Sequence, residues 1–227
     1  MIFTSFEYLG FMLAVVALNW LLPQRFRPAL LLGASLVFYG AWSAPALSIL
    51  VAVCVVTWGA GLVIPRLDGS RRLMLTAVSV GVAASSLGVF KILEAAGIDR
   101  GDTGVAAQFI VPVGLSFFSF QAISYLIDIH RDDIEPTRSL IDVSLFISFF
   151  PHLLAGPIVR ARKLIPAFHS TPRTPDRVQW TEAGELVLVG VFKKVALADP
   201  IFVLGFEAFD NPGELSAPHA FTLLVGI

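Results

Sequence analysis

The sequence is poor in charge and nearly free of cysteine. Charged residues make up 15% of the 227 positions, hydrophobic residues make up 56%, and Cys54 is the one cysteine. A soluble domain has about 25% charged residues and roughly 45–50% apolar residues. The apolar excess is too large for one buried core and predicts a membrane protein. A single cysteine excludes a disulfide framework and a CxxC motif, and a net charge of −1 gives no indication of nucleic acid as a partner.

Basic residues are also missing ahead of the first apolar run. The chain begins MIFTSFEYLG, with Glu7 and no Lys or Arg, so a retained first helix is predicted instead of a signal peptide. The later apolar runs are continuous and contain glycines, which is typical of membrane helices and not of barrel strands. The first run ends at residue 22. The later runs cover residues 29–42, 46–64, 73–90, 103–127, 143–159, 186–206 and 220–227.

The lengths of these runs predict the fold class. A helix needs roughly 20 apolar residues to cross a bilayer core of about 30 Å. The sequence therefore predicts an all-α, polytopic integral membrane protein with about six to eight membrane helices. No internal repeat is present, so residues 1–227 are predicted to form a single region. Because the last run has only eight residues, we expect a chain truncated at its C-terminus.

The basic residues predict the orientation in the membrane. They follow the first, third and fifth runs and are frequent in residues 160–178, whereas residues 97–104 hold only Arg100. By the positive-inside rule, residues 65–72 and 160–178 are predicted to be cytoplasmic and residues 97–104 extracytoplasmic. The sixth run then begins and ends on the cytoplasmic side. This pattern indicates a re-entrant segment, because irregular backbone inside a membrane needs protein or water to cover it.

The sixth run contains the main candidate site residues. Helix breakers, an ionisable side chain and a following cation occur together there, as Pro151, His152, Gly156, Pro157 and Arg160. An ionisable group at membrane depth is costly and usually faces a cavity. Two interpretations of His152 stay open: its imidazole satisfies a backbone carbonyl freed by one of the prolines, or it lines a cavity on a substrate route.

Other polar groups give weaker signals. Lys193 and Lys194 lie in an apolar segment, either extending to the membrane interface or forming a basic patch that faces an anionic donor. Asp199 follows Lys194 by five residues, which is not the spacing of an α-helical ion pair, whereas Asp128 and Arg131 are expected to pair at i, i+3. The histidines are not at metal-ligand spacing, so no metal site is predicted. No GxSxG, Walker or Rossmann motif is present.

Four stretches carry a resemblance to a known family. They are ASLVFYGAW at residues 34–42, VPVGLSFFSFQAISYLIDIHRDD at 111–133, FFPHLLAGPIVR at 149–160 and GVFKKVALAD at 190–199. In this order and spacing they resemble motifs of the membrane-bound O-acyltransferase family, and the third is the most specific. The resemblance covers most of the chain and also implies a re-entrant third motif.

The resemblance implies transfer of an acyl group across the bacterial inner (cytoplasmic) membrane. The group would be acetyl, from acetyl-CoA or another cytoplasmic acyl thioester, and the acceptor an extracytoplasmic polysaccharide such as alginate. Membrane lipid surrounds the family's helices, and extracytoplasmic acetyltransferase partner proteins assist the transfer. A histidine in a dry tunnel acts as the general base, and exclusion of water protects the activated acyl group.

One departure from the family pattern concerns catalysis. The family's essential histidine follows a tryptophan in a later region, and this chain has no Trp-His pair. The resemblance therefore implies that no catalytic residue lies in this chain, that the histidine lies beyond Ile227, and that His152 does not replace it. Two other interpretations remain, a transporter and a non-catalytic membrane scaffold subunit. A Trp-His motif past Ile227 would favour the enzyme, and a second copy of the first six runs would favour the transporter.

Overall fold

The computed structural model describes residues 6–41, 43–95, 114–153, 156, 158–170 and 180–200. Every regular element in these ranges is helical, which confirms the predicted all-α fold. The α-helices are α1 (Phe6–Leu21), α2 (Arg27–Gly40), α3 (Ala44–Val63), α4 (Gly69–Ala95), α5 (Leu115–His130), α6 (Leu140–Ser148), α7 (Phe150–Leu153), α8 (Ala161–His169) and α9 (Trp180–Phe192). Two 3₁₀ turns, Gln24–Phe26 and Ile64–Arg66, and a π-helix, Lys193–Ala198, complete the set.

The chain separates into two compact units, Met1–Arg173 and Thr174–Ile227. Helices α1 to α8 belong to the first unit, and α9 with the π-helix belongs to the second. The prediction that residues 1–227 form one membrane region stays a prediction.

Local sequence signals explain where two core helices begin. The Ser43 hydroxyl accepts a hydrogen bond from the Ala46 N–H at 3.3 Å, and Pro45 lies in the first turn of α3, where its missing N–H costs nothing. The Ser139 hydroxyl likewise accepts from the Asp142 N–H at 3.2 Å at the start of α6. Both helices therefore start at a residue whose side chain satisfies a free backbone donor.

The core of the first unit lies between α3, α5 and α6. Helix α5 buries Phe118, Ala122 and Tyr125 in this core. The close approach of α3 depends on Gly61, because a Cβ atom there would lie 3.0 Å from Tyr125 Cε1 and 3.1 Å from Ile129 Cδ1. Helix α2 packs on α6, and α4 packs along α5. The broken sixth run is thus surrounded by other helices of the unit.

The outward faces of the helices remain apolar. In the described part of the chain, Ala44–Arg66 is the one helical stretch long and apolar enough to cross a membrane. Only 28% of its most apolar 18 residues are buried within the protein. Large apolar side chains such as Leu13, Leu73 and Val78 are also exposed. Helices α1, α2 and α5 have 16, 14 and 16 residues, fewer than a perpendicular crossing requires. The count of six to eight membrane helices therefore stays a prediction.

Four basic connections meet at one end of the first unit, which we call the basic end. They are residues 22–27, 64–72, 131–139 and 160–169, which together carry ten Lys or Arg and four Asp or Glu residues. The Gln24 side-chain amide donates to the His169 carbonyl, and His169 Nε2 lies 3.1 Å from Asp142 Oδ1 at the start of α6. Arg72 pairs with Asp132 at 2.6 Å. The connections that the charge pattern predicts to share one side of a membrane are therefore neighbours in the fold.

Candidate functional site: a broken helix held by its neighbours

The sixth apolar run is divided into two helices. Helix α6 ends at Ser148, and Phe149 leaves the helical conformation with φ −54° and ψ 108°. Helix α7 then begins at Phe150 and ends at Leu153. Pro151 lies in the first turn of α7, where no intrahelical N–H is needed. The break therefore lies two residues before the proline. Pro157, predicted as a second breaker, lies outside the described residues.

Two neighbouring helices satisfy the backbone groups that the break exposes. The buried Ser35 hydroxyl on α2 accepts a hydrogen bond from the Phe150 N–H at 3.1 Å and donates to the Leu31 carbonyl at 2.8 Å. Gln121 Nε2 on α5 donates to the Val159 carbonyl at 2.9 Å. An unpaired buried backbone group costs about 1–3 kcal/mol. The irregular backbone is therefore covered by protein, as a helix broken inside an apolar layer requires.

An ion pair holds the end of the segment that follows the break. The guanidinium of Arg160, just before α8, pairs with the carboxylate of Asp128 near the end of α5. The Asp128 side chain is 4% exposed and the Arg160 side chain 56% exposed. The expected pairing of Asp128 with Arg131 is wrong, because a partner from a distant part of the chain occupies the carboxylate. The segment from α6 to Arg160 thus begins and returns at the basic end.

His152 lies beside a small cavity at the break. Its Nδ1 atom is buried and has no hydrogen-bond partner among the described residues. Its ring meets the Phe149 ring edge to face, with 5.4 Å between the centroids. The cavity has a volume of about 10 Å³. Its lining residues are Phe117, Phe118, Gln121, Phe146, Ile147, Phe149, His152, Leu153, Gly156 and Ile158.

Gly156 is placed against the backbone of His152. A Cβ atom at this glycine would lie 3.0 Å from His152 Cα and 3.2 Å from its carbonyl oxygen. Real Cβ atoms rarely come so close, so any side chain here must displace His152. The sequence pattern suggests that Gly156 is a helix breaker; the structure adds that it leaves space for the neighbouring turn.

Arg72 is a structural residue of the basic end that no sequence signal indicates. Its Nη2 atom donates to the carbonyls of Ile129 and His130, at 3.0 and 2.9 Å, and to the Asp132 carboxylate. The last carbonyls of α5 are therefore satisfied by a cation from α4, which also suits the negative end of the helix dipole. The hydrogen bond from Arg72 lowers the pKa of the exposed Asp132 carboxyl.

Lys193 and Lys194 lie in the second unit, in the π-helix that follows α9. Both side chains are exposed, and Lys194 forms an ion pair with Asp199. A spacing of five residues is unsuited to an α-helix, but in a π-helix residues five apart are hydrogen-bonded neighbours. The expectation that Asp199 is a poor partner for Lys194 is therefore wrong. Their role as a donor-facing patch stays a prediction.

Three of the four sequence motifs meet at the break. ASLVFYGAW supplies Ser35 on α2, the described part of the second motif supplies Gln121 and Asp128 on α5, and FFPHLLAGPIVR supplies the break itself with Arg160. The first unit is thus a bundle of helices with apolar outer faces, in which buried polar side chains support a broken helix.

The chain is similar to bacterial O-acetylases over nearly its whole length. It is 34% identical over 219 residues to a probable alginate O-acetylase of Pseudomonas fluorescens, covering 93% of this chain and 42% of that protein. It is 33% identical over 228 residues to the Pseudomonas aeruginosa counterpart, covering 93% and 43%. The identity to a peptidoglycan O-acetyltransferase of Helicobacter pylori is 29% over 253 residues, covering 96% and 47%.

These relatives confirm the resemblance drawn from the four motifs: the chain is similar to bacterial proteins named alginate O-acetylase and peptidoglycan O-acetyltransferase. It spans less than half the length of the relatives it matches. No family model matches the chain. No solved structure matches it either.

Proposed function

We propose that this chain is part of a membrane O-acetyltransferase that acetylates an extracytoplasmic polysaccharide. The observation that supports this most is the similarity to named O-acetylases across 93% of the chain. Alginate is the polymer in the names of the Pseudomonas relatives, so we propose alginate as the first acceptor to test. The donor would be acetyl-CoA or another cytoplasmic acyl thioester, and extracytoplasmic acetyltransferase proteins would be partners.

The proposed reaction is an acyl transfer from sulfur to oxygen. A hydroxyl oxygen of the acceptor attacks the thioester carbonyl carbon, a C–O bond forms and the C–S bond breaks. The hydroxyl proton ends on the departing thiolate. The resemblance implies that the general base lies beyond Ile227. This chain would then contribute walls of the tunnel in which donor and acceptor meet. A wall that excludes water would suppress hydrolysis of the thioester.

The proposed location is the bacterial inner membrane, with several helices in the lipid. The many large apolar side chains exposed on α1, α3 and α4 support this, since large apolar patches are unusual on the surface of a soluble monomer. The basic end would face the cytoplasm, because it carries ten of the sixteen Lys and Arg residues of the chain. The broken helix would then enter the membrane from the cytoplasm and return to it.

Cysteine labelling tests this orientation. Cys54 is buried and is first replaced by alanine. We expect Ala44→Cys, at the start of α3, to react with an impermeant maleimide in intact spheroplasts, and Ser70→Cys, at the basic end, to react only after permeabilisation. The segment predicted to be extracytoplasmic, residues 97–104, lies outside the described residues, so a cysteine at Ala44 is used instead of one at Thr103. Labelling of both cysteines from the same side would contradict the proposed orientation.

Polymer acetylation tests the activity. The complete reading frame is expressed in an alginate-producing strain that lacks its own O-acetylase, and acetyl esters on the secreted polymer are measured by NMR. We expect the esters to be restored. We expect residues 1–227 alone to give at least about 100-fold fewer acetyl esters, because loss of a general base typically lowers the reaction rate by about 10²–10⁴-fold. Alginate that stays unacetylated in both cases would contradict the proposed function; equal acetylation would place the base in this chain.

A further inference from the structure

An open cleft lies at the basic end, where the 3₁₀ turn Ile64–Arg66 leads into α4. It has a volume of about 430 Å³ and is lined by Arg66, Leu67, Asp68, Ser70 and Arg71. Small-molecule sites usually have volumes of about 300–1,000 Å³. Two of the lining side chains are cationic and one is anionic, so the cleft has a net positive charge that favours an anion.

The two arginines of the cleft have no protein partner within the described residues. Arg66 and Arg71 are both exposed, and neither side chain forms an ion pair or a hydrogen bond with another described residue. Arg72 differs from them, because its guanidinium is bound to the last carbonyls of α5 and to Asp132. The fold therefore explains Arg72 and leaves the guanidinium groups of Arg66 and Arg71 available to a ligand.

An apolar stripe leads away from the cleft along α4. Met74, Val78 and Val82 follow Ser70 at intervals of four residues and form one row with it along the helix surface. The three apolar side chains are 69%, 53% and 53% exposed. The helix rises about 18 Å from Ser70 to Val82, at about 1.5 Å per residue. This length is comparable with one leaflet, which is half of a bilayer core of about 30 Å.

We propose that the cleft binds the headgroup phosphate of an anionic phospholipid, with an acyl chain along the apolar stripe. The inference goes beyond the proposed reaction and rests only on the proposed membrane location. Arg66 and Arg71 would donate charge-assisted hydrogen bonds to the phosphate oxygens, for which guanidinium groups are well suited. Basic pockets at the ends of membrane helices bind such headgroups. Phosphatidylglycerol is the lipid to test, because its phosphate is anionic and its head carries no cation.

The position of the cleft favours a lipid over a soluble phosphate. A soluble anion is attracted only by exposed arginines, whose charge is screened over about 8–10 Å at physiological salt. A phospholipid whose acyl chain lies along Met74 and Val78 has its phosphate held close to the cleft, which raises the effective concentration of the anion there. The Asp68 carboxylate in the same cleft repels an anion, so its removal should strengthen binding.

Lipid binding to the protein from the complete reading frame is measured by native mass spectrometry in a non-ionic detergent. Phosphatidylglycerol and phosphatidylcholine with identical acyl chains are titrated separately. We expect wild type to bind phosphatidylglycerol at least about 5-fold more tightly. Arg66→Gln/Arg71→Gln should lower the affinity for phosphatidylglycerol by about 25-fold, since each arginine near a headgroup contributes about 5-fold. Equal binding of the two lipids by wild type would overturn the proposal.

Arg162→Gln/Lys163→Gln is the matched control for the arginine variant. Both residues are exposed on α8 at the basic end, and neither lines the cleft, so the same charge is removed outside the proposed site. We expect this control to lose much less affinity for phosphatidylglycerol. Equal losses in the two double variants would overturn the cleft as the site, because general attraction to the basic end would then explain the binding.

Asp68→Asn provides a check that removes no arginine and keeps the shape of the side chain. It should bind phosphatidylglycerol about 2–5-fold more tightly than wild type, and unchanged or weaker binding would contradict the proposal. Soluble glycerol phosphate, at a concentration equal to that of the lipid, should displace little of it. Complete displacement would assign the cleft to a free phosphate. These measurements use no acyl donor, so their failure would leave the proposed reaction intact, and failure of polymer acetylation would leave the lipid site intact.

Discussion

Replacing Arg160 with methionine should lower the free energy of unfolding by about 3 kcal/mol. Methionine has a similar length but no charge, so the Asp128 carboxylate, 4% exposed, would remain buried without its cation. Removing one partner of a buried ion pair costs about 3–5 kcal/mol. The lower end applies here because the Arg160 side chain is 56% exposed and its charge is partly screened by solvent.

A double-mutant cycle in detergent micelles checks this prediction. Unfolding of Arg160→Met, Asp128→Leu and the double variant is followed by titration with a denaturing detergent. The double variant should be close to wild type, since an apolar pair can replace a buried ion pair at little cost. Arg162→Met is the control, because Arg162 is exposed on α8 and forms no ion pair within the described part of the chain. A loss in Arg160→Met no larger than in Arg162→Met would contradict the buried pair.

The sequence predicts the helical class and the broken sixth run, but it misplaces the pairing of Asp128. The expected partner, Arg131, satisfies the i, i+3 rule of an isolated helix. The actual partner is 32 positions away and reaches Asp128 only because the segment turns back on itself. The same limit hides Arg72, which satisfies the end of α5 from a different helix. Tertiary partners of this kind leave no periodic signal in the sequence.

Local geometry also explains the misjudged charge pair in the second unit. Sequence spacing is interpreted with 3.6 residues per turn, so Lys194 and Asp199 fall on different faces of an α-helix. A π-helix changes this register, and nothing in the run KKVALA indicates one. The break near His152 was predictable because proline and glycine are rare together in an apolar run; the role of the residues around it stays a prediction. The cavity beside them depends on the packing of α5 against α6.

The second large effect is expected at Gly156. A side chain here requires the His152 turn to move by a few tenths of an ångström, and two of the three nearest atoms, the His152 Cα and carbonyl oxygen, belong to the main chain. Gly156→Ala should therefore cost about 1–3 kcal/mol in stability, as overpacking of a tight site does. Gly156→Val adds two more methyl groups and should displace His152 further. A displacement of about 1 Å in a positioned group can cost about 100-fold in rate, so we expect polymer acetylation to fall by at least that factor.

Gly59 provides the matched control for this prediction. It lies inside α3, and a Cβ atom there would meet nothing within 4 Å. Gly59→Ala should be neutral or stabilising by about 0.5–1 kcal/mol, because alanine loses less conformational entropy than glycine when a helix forms. Acetyl esters on secreted alginate are compared at matched protein levels for the variants of the complete reading frame. If Gly156→Val acetylates as well as Gly59→Ala, the position of the His152 turn does not matter for the reaction, and the broken helix is not a wall of the route.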